Sequence, residues 1–432
     1  MKVRKNISLC AAMGILAASW AMAQQTAPAA GVPATAPAAP MLGAAGTKSP
    51  EVGADGSVIF RLKAPSAAGV GVTGNWMGMM AAPLPMTKSE DGVWQLTVNG
   101  LKPEMWTYNF VVDGVRMLDP GNVNVMRDGV RFMSVLTIPG AGSDLYTVNS
   151  IPHGTVHQVW YPSSTLNMPQ RRMYIYTPAG YERGEQRFPV LYLLHGAGGD
   201  EDAWDNLGRA REIFDSLIAA GKAKPMIVVM TNGNWNRAAA PGFADQGEAT
   251  LTLGSDPAAL RSMSNSLKIS DSIVADVVPF VDKTYRTVAD RDHRAIAGLS
   301  MGGAQTLYAG LHNLDLFSYV SSFSGAFIMF PGALKNVPVA PGAPMGPGRG
   351  QELDISALPA DFPGLDASAN QKLHLLYITC GANDGLLKSN QQFMDWLSSQ
   401  GVNYKQLILP GYMHEWPFWR ISLSNMLPML FH

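Results

Sequence analysis

The sequence predicts an α/β protein: a mostly parallel sheet covered by helices, preceded by a small all-β sandwich. Three observations predict it. Short runs of alternating hydrophobicity fill residues 51–140, apolar strand-like runs alternate with helical stretches from about Thr155 onward, and Gly298-Leu299-Ser300-Met301-Gly302 stands between a strand signature and a helix signature.

The chain opens on Met1-Lys2-Val3-Arg4-Lys5, an apolar run from Ile7 to Trp20, and Ala21-Met22-Ala23. A basic start, a short apolar stretch and an A-x-A site describe a signal peptide over residues 1–23, with cleavage after Ala23. An uncleaved anchor is the competing reading, but the run falls short of the ~20 apolar residues a spanning helix needs. The expected location is secreted or periplasmic, without a membrane after cleavage. Residues 24–50, dominated by Ala, Pro, Gly and Thr, have little to bury and read as an extended linker. Cys10 leaves with the signal, so Cys380 stays alone and no intramolecular disulfide is expected. Cys380 ends the run Leu373 to Thr379, where a packed strand cysteine fits better than a nucleophile.

With 32 Lys+Arg against 33 Asp+Glu, the net charge of -1 gives no electrostatic reason to expect nucleic acid. Hydrophobic residues at 47% fit a protein stabilised by its core.

In the module at 51–145, Val58–Leu62, Gly69–Thr73, Val93–Val98 and Trp106–Val112 alternate as strands do. Asp113-Gly114 between two apolar runs marks a hairpin, because a type I′ turn needs positive φ at both central residues. The stretches Ala64-Pro65-Ser66-Ala67, Glu90-Asp91-Gly92-Val93-Trp94 and Val112-Asp113-Gly114-Val115 with Asp119-Pro120 resemble the immunoglobulin-like modules related to glycogen-binding domains (the CBM48, or E-set, type). Trp76, Trp94, Trp106 and Tyr108 either form a sugar-stacking platform or fill the sandwich core, and core is the commoner use of alternating strand aromatics.

In the unit at 150–432, strands are expected at Arg171–Thr177, Phe188–Leu194, Pro225–Met230, Arg294–Ala297, Phe317–Ser322, Lys372–Thr379 and Tyr404–Leu409. The Pro/Gly-rich stretch 330–370 is too long for an ordinary connection. It reads equally as a flexible insertion or as a wall of a substrate pocket.

The G-x-S-x-G pattern at Gly298–Gly302 needs small residues around the serine so that the chain can turn sharply from strand to helix and expose the hydroxyl. Arg294-Ala295-Ile296-Ala297 before it and Gly303 to Gly310 after it supply strand and helix, as in an α/β-hydrolase. A serine hydroxyl is a weak nucleophile at neutral pH, so a histidine must take its proton and an acid must hold that histidine. In this fold the order is Ser, acid, His. Asp384 in Gly381-Ala382-Asn383-Asp384 and His414 in Gly411-Tyr412-Met413-His414 each follow an apolar strand. The rivals Asp361, Asp366 and Asp395, and His312, His374 and His432, lack that placement.

Leu194-His195-Gly196-Ala197-Gly198-Gly199 resembles the early loop that gives one oxyanion-hole amide, here Ala197, with Met301 giving the other. His195 suits backbone shaping there. The sequence holds no H-E-x-x-H, C-x-x-C or phosphate-loop spacing, so no metal and no cofactor are expected.

Asp290 to Gly303, together with Val278 to Arg286, Leu194-His195-Gly196, Thr231-Asn232-Gly233, Gly381 to Asp384 and His414-Glu415-Trp416, closely resembles the bacterial esterase D/feruloyl esterase-like family. The resemblance runs from about Thr155 to the C-terminus. It implies a serine carboxylic-ester hydrolase that removes feruloyl or acetyl groups from plant-wall polysaccharide such as xylan, with Ser300, Asp384 and His414 as triad and Trp416 or Trp204 lining the acyl pocket. The partner implied is an acylated carbohydrate; the oligomeric state stays open. The family also contains mycolyl-type acyltransferases and siderophore esterases that would use the same triad. A glycan-binding protein that keeps only the fold is a third reading, which an intact triad disfavours.

Overall fold

The computed structural model describes residues 47–77, 81–243, 265, 267–332 and 352–432. The expected signal peptide, the linker up to residue 46 and positions 333–351 of the Pro/Gly-rich stretch lie outside the described residues. Among the described residues no helix is long and apolar enough to cross a membrane.

The sandwich pairs a four-stranded sheet, ordered Glu51–Val52, Val58–Lys63, Val93–Val98, Thr87–Lys88, with a six-stranded one. The second runs Leu84–Pro85, Val70–Gly74, Met105–Val112, Arg131–Thr137, Val125–Asp128, with Val115–Met117 added to Met105–Val112. Alternation puts Val58, Phe60 and Leu62 inward, against Val72, Tyr108, Phe110 and Leu136 of the facing sheet. The Asp113-Gly114 turn has φ of 48° and 87° and joins Val112 to Val115 in register. Trp94 and Tyr108 are buried, Trp76 packs against Phe60 and Trp106, and Trp94 Nε1 donates to Ala64 O. Trp94 and Tyr108 thus belong to the sandwich core, while Trp76 and Trp106 pack against it and stay half-buried.

The larger sheet has eight strands among the described residues, in the order Thr155–Ser163, Met168–Thr177, Ile227–Thr231, Val190–Leu194, Arg294–Leu299, Tyr319–Phe323, Leu375–Gly381, Lys405–Leu409. Met168–Thr177 runs antiparallel to both its neighbours, and the pairs from Ile227–Thr231 onward are parallel. Parallel strands are covered on both faces, which explains why Arg294–Leu299 is buried at every position. Within Val190–Leu194, Val190, Tyr192 and Leu194 point to the layer holding Leu307 and Phe393 of helices Met301–His312 and Leu387–Ser399. Leu191 and Leu193 point to the other, holding Phe214 and Phe418 of helices Ala210–Ala219 and Trp416–Met426. Met105, Met126, Val135 and Tyr146, from the sandwich and the segment after it, join this second layer.

The strand starting at Thr155 and the early start of the next, at Met168 in place of Arg171, were not expected. Their polar, half-exposed positions mask the apolar signal. His374, expected within a strand, lies just before Leu375–Gly381 and is bonded to Asp292. In the described flanks of the 330–370 stretch, Phe330, Leu353, Leu358, Phe362 and Leu365 are buried, with Phe330 and Phe362 against Phe393.

Candidate active site

The carboxyl ends of the parallel strands carry the candidate residues. Ser300 follows Arg294–Leu299 with φ 53° and ψ -115°, a left-handed conformation that costs a non-glycine residue energy and persists only where its surroundings impose it. Its N–H donates to Phe323 O at 2.9 Å and its carbonyl accepts from Ala304 and Ala326. The flanking glycines are required by contact. A Cβ on Gly298 would lie 2.4 Å from Gly302 O, and one on Gly302 would lie 2.5 Å from His195 O. Strand, turn and helix thus approach closer than any side chain permits.

Asp384 and His414 come from the loops after Leu375–Gly381 and Lys405–Leu409, and the structure brings both to Ser300. His414 Nδ1 is 2.9 Å from Asp384 Oδ2, and Nε2 is 2.9 Å from Ser300 Oγ. Asp384 also accepts from Leu386 N–H at 2.9 Å. Burial raises its carboxyl, but the bond to His414 with its charge and the Leu386 amide outweigh it and hold Asp384 below the usual carboxylate range. An ionised carboxylate accepts only, so in the neutral imidazole Nδ1–H faces Asp384 and the Nε2 lone pair faces the Ser300 hydroxyl. The Trp419 ring stands edge-on to His414 at 4.9 Å. The rival acids are otherwise engaged: Asp361 accepts from Gly332 N–H, and Asp366 from Ser368 N–H at the start of a short helical turn.

Gly196 packs on the nucleophile, since a Cβ there would lie 3.1 Å from that of Ser300. Ala197 and Gly198 are exposed at the loop tip. Met301 is the first residue of helix Met301–His312, where backbone N–H groups lack intrahelical acceptors. His195 is 1% exposed, and its Nε2 accepts from Gly233 N–H at 2.7 Å, so Nδ1–H donates to Gly196 O at 2.7 Å. Burial lowers its pKa, which fits this neutral form. His195 therefore staples its own loop to the Thr231-Asn232-Gly233 turn.

Trp204, expected beside the acyl group, is 1% exposed and donates from Nε1 to Leu194 O at 2.9 Å. It belongs to the core, edge-on to Phe323 and to the half-buried Trp416, whose other edge-on neighbour is Trp419. Two apolar strand ends converge there and leave Trp204 no open face. Cys380 is buried, and burial pushes its thiol far up, so it stays a packed thiol.

Arg127, Asp200 and Asp202 had drawn no attention in the sequence. Arg127 Nη1 and Nη2 fork Asp200 at 2.6 and 2.8 Å, and Nη2 also meets Asp202. Burial and the Asp200 charge push Asp202 up to about 7. Burial also raises Asp200, but the Arg127 fork and the Asp202 hydrogen bond outweigh it and leave its carboxyl below the usual range. A pairing 73 residues apart has no local sequence signal.

A doubly covered sheet with a serine, histidine and carboxylate hydrogen-bonded in series at its carboxyl edge defines the α/β-hydrolase class. The chain belongs to the esterase family described as "Putative esterase", whose model matches residues 163–430, and the carbohydrate-binding module 48 (isoamylase N-terminal domain) model matches residues 42–128. An endo-1,4-beta-xylanase/feruloyl esterase of Xylanibacter ruminicola is 30% identical over 392 residues, 89% of this chain and 46% of that protein. Endo-1,4-beta-xylanase Y of Acetivibrio thermocellus is 24% identical over 60% of this chain and 22% of that protein. The chain thus spans less than half the length of these curated relatives. Among solved structures, a ferulic acid esterase of Anaeromyces mucronatus shares the fold, with TM-score 0.51 and 23% identity over 68% of this chain and 98% of that one. The enterobactin esterase of Shigella flexneri does so over 86% of this chain and 92% of that one, with TM-score 0.57 and 18% identity.

Proposed function

We propose that this chain is an exported serine esterase that removes feruloyl or acetyl groups from plant-wall polysaccharide such as xylan. The observation that carries the reading is the series Asp384–His414–Ser300 at 2.9 Å per step, in a chain of the esterase family. The acyl and alcohol parts rest on the feruloyl esterase name of the Xylanibacter relative and on the carbohydrate-binding module match. Export rests on the basic and apolar segment ending at Ala23.

Ser300 Oγ attacks the ester carbonyl while His414 Nε2 takes its proton, and Asp384 stabilises the imidazolium that forms. The carbonyl oxygen becomes an oxyanion facing the Ala197 and Met301 amides, an arrangement that typically contributes several kcal/mol. The tetrahedral species collapses as His414 returns the proton to the departing sugar oxygen. Water then attacks the acyl carbon while His414 takes its proton, and the second tetrahedral species collapses as His414 returns that proton to Ser300 Oγ and the acid departs.

The test is an ester panel with wild type and Ser300→Ala: p-nitrophenyl acetate, ethyl ferulate, acetylated xylan and feruloylated arabinoxylan. Release of ferulate or acetate by wild type alone is expected. Undiminished turnover by Ser300→Ala ends the serine mechanism, and turnover of p-nitrophenyl acetate without release of acetate or ferulate from either polysaccharide ends the polysaccharide reading.

A further inference from the structure

The loop carrying Ala197 does not set its own shape. Gly196, Gly198 and Gly199 leave it wide conformational freedom, Gly198 takes φ 86°, and inside the turn Gly199 N–H donates to Gly196 O at a long 3.2 Å. One side is pinned by His195, through Gly233 and Gly196. The other side is pinned by the sandwich.

Arg127 lies on strand Val125–Asp128 and crosses to Asp200, the residue that closes the loop, with a two-pronged bond at 2.6 and 2.8 Å. The same guanidinium reaches Asp202 and donates to Gly129 O at 2.6 Å, and Asn206 Nδ2 donates to Arg127 O at 3.2 Å. Gly129, in the next turn of the sandwich, has φ 58° and sits so close that an added Cβ would lie 2.6 Å from Gly198 O. Arg127 and Gly129 thus press on the loop from one side, at its end and at its tip.

Docking of the sandwich does not require this ion pair. Met105, Met126, Val135 and Tyr146 already share an apolar layer with Leu207, Phe214 and Trp419. A largely buried Arg–carboxylate cluster contributes little net stability over apolar packing, whereas a forked pair fixes both distance and orientation.

We infer that Arg127 is a positioning residue for ester hydrolysis: by forking Asp200 it holds the 196–199 loop in the shape that aims the Ala197 amide at the developing oxyanion. This rests on the reading that Ser300 attacks the ester and Ala197 faces its oxygen. The module's role is then to complete the hydrolytic site, whatever glycan it also meets. Displacement of an aligned group by about 1 Å costs as much as ~100-fold in rate.

The experiment uses the full chain with Arg127→Ala, Arg127→Lys and Val135→Ala, the last loosening sandwich packing away from the loop. Steady-state kinetics on p-nitrophenyl acetate, affinity for an aryl trifluoromethyl ketone, and thermal melting are compared. The ketone carbonyl adds the serine oxygen and leaves an oxyanion in the same hole. For Arg127→Ala, kcat is expected to fall about 10- to 100-fold with KM nearly unchanged, and ketone affinity to fall by a similar factor. Arg127→Lys, which keeps the charge without the fork, should lie between, and Val135→Ala should lower the melting temperature but not kcat. An Arg127→Ala protein with wild-type kcat and ketone affinity overturns the inference, as does an equal kcat loss in Val135→Ala. If Arg127→Ala fails to fold, Arg127→Lys decides by the same two readouts. Ser300→Ala, run alongside, keeps the failures apart: an active Ser300→Ala refutes the serine reading, whereas an inactive one beside an unaffected Arg127→Ala refutes only this inference.

Discussion

His414 Nε2 stands 2.9 Å from Ser300 Oγ, and Ser300 reaches that position only by holding φ at 53°. The proton acceptor sits on one loop, and the strain that presents the hydroxyl sits on another. The site's chemistry therefore depends on backbone held in place by close glycine contacts as much as on the side chains.

If the three side chains act as one unit, their losses do not add. Asp384→Asn is expected to lower kcat on p-nitrophenyl acetate by about 10⁴-fold, because the wrong imidazole tautomer would face the serine. Adding it to Ser300→Ala should change little further. Multiplicative losses in the double variant, read by steady-state kinetics, would show that Asp384 works independently of Ser300.

The elbow should not tolerate a methyl group. Gly298→Ala places a Cβ 2.4 Å from Gly302 O, and backbone on both sides leaves little room to relax. A destabilisation of about 1–3 kcal/mol is expected from overpacking, measured by urea unfolding, together with reduced turnover. A variant as stable and as active as wild type would refute the steric account of this motif.

Cys380 should be silent to thiol reagents in the native state. Burial and the nearby Asp384 charge push its thiol up, which suppresses the reactive thiolate. Labelling with dithionitrobenzoate at neutral pH is expected only after denaturation. Prompt native labelling would mean that the strand end carrying Asp384 opens readily.

Asp202 should make stability depend on pH. Its folded-state pKa of about 7 lies above the ordinary 3.8, so the folded protein keeps a proton that the unfolded chain has released. The associated stability is whole below about pH 4 and is lost as pH rises through 7. Asp200 and Arg127 face the group, and Asp202→Asn removes its titration while sparing the Asp200 fork. The melting temperature of Asp202→Asn relative to wild type should rise from pH 5 to pH 8; a constant difference would contradict the assignment.

Local patterns revealed the larger part of this architecture. The run Arg294 to Ala297 is apolar because the strand is buried on both faces, so its position was readable to within a couple of residues of the observed Arg294–Leu299. Asp384 and His414 stood out because each follows an apolar run, Asp384 after the fully buried Leu375–Gly381 and His414 after the half-exposed edge strand Lys405–Leu409. Thr155–Ser163, an edge strand with half-exposed residues, carried no comparable signal. Trp204 was expected beside the acyl group through the resemblance alone, and nothing local in the sequence signals that Trp416 and Phe323 pack against it.

The sequence by itself determined the α/β class, the all-β unit before it, the turn at Asp113-Gly114 and the order of serine, acid and histidine, because periodicity and turn chemistry act between near neighbours. Tertiary structure alone decided that Trp94 and Tyr108 face inward, that His195 staples two loops, and that Arg127 reaches the loop beside Ser300. Those outcomes depend on which surfaces meet when distant segments pack, and a contact between residues far apart along the chain leaves no periodic trace in either segment.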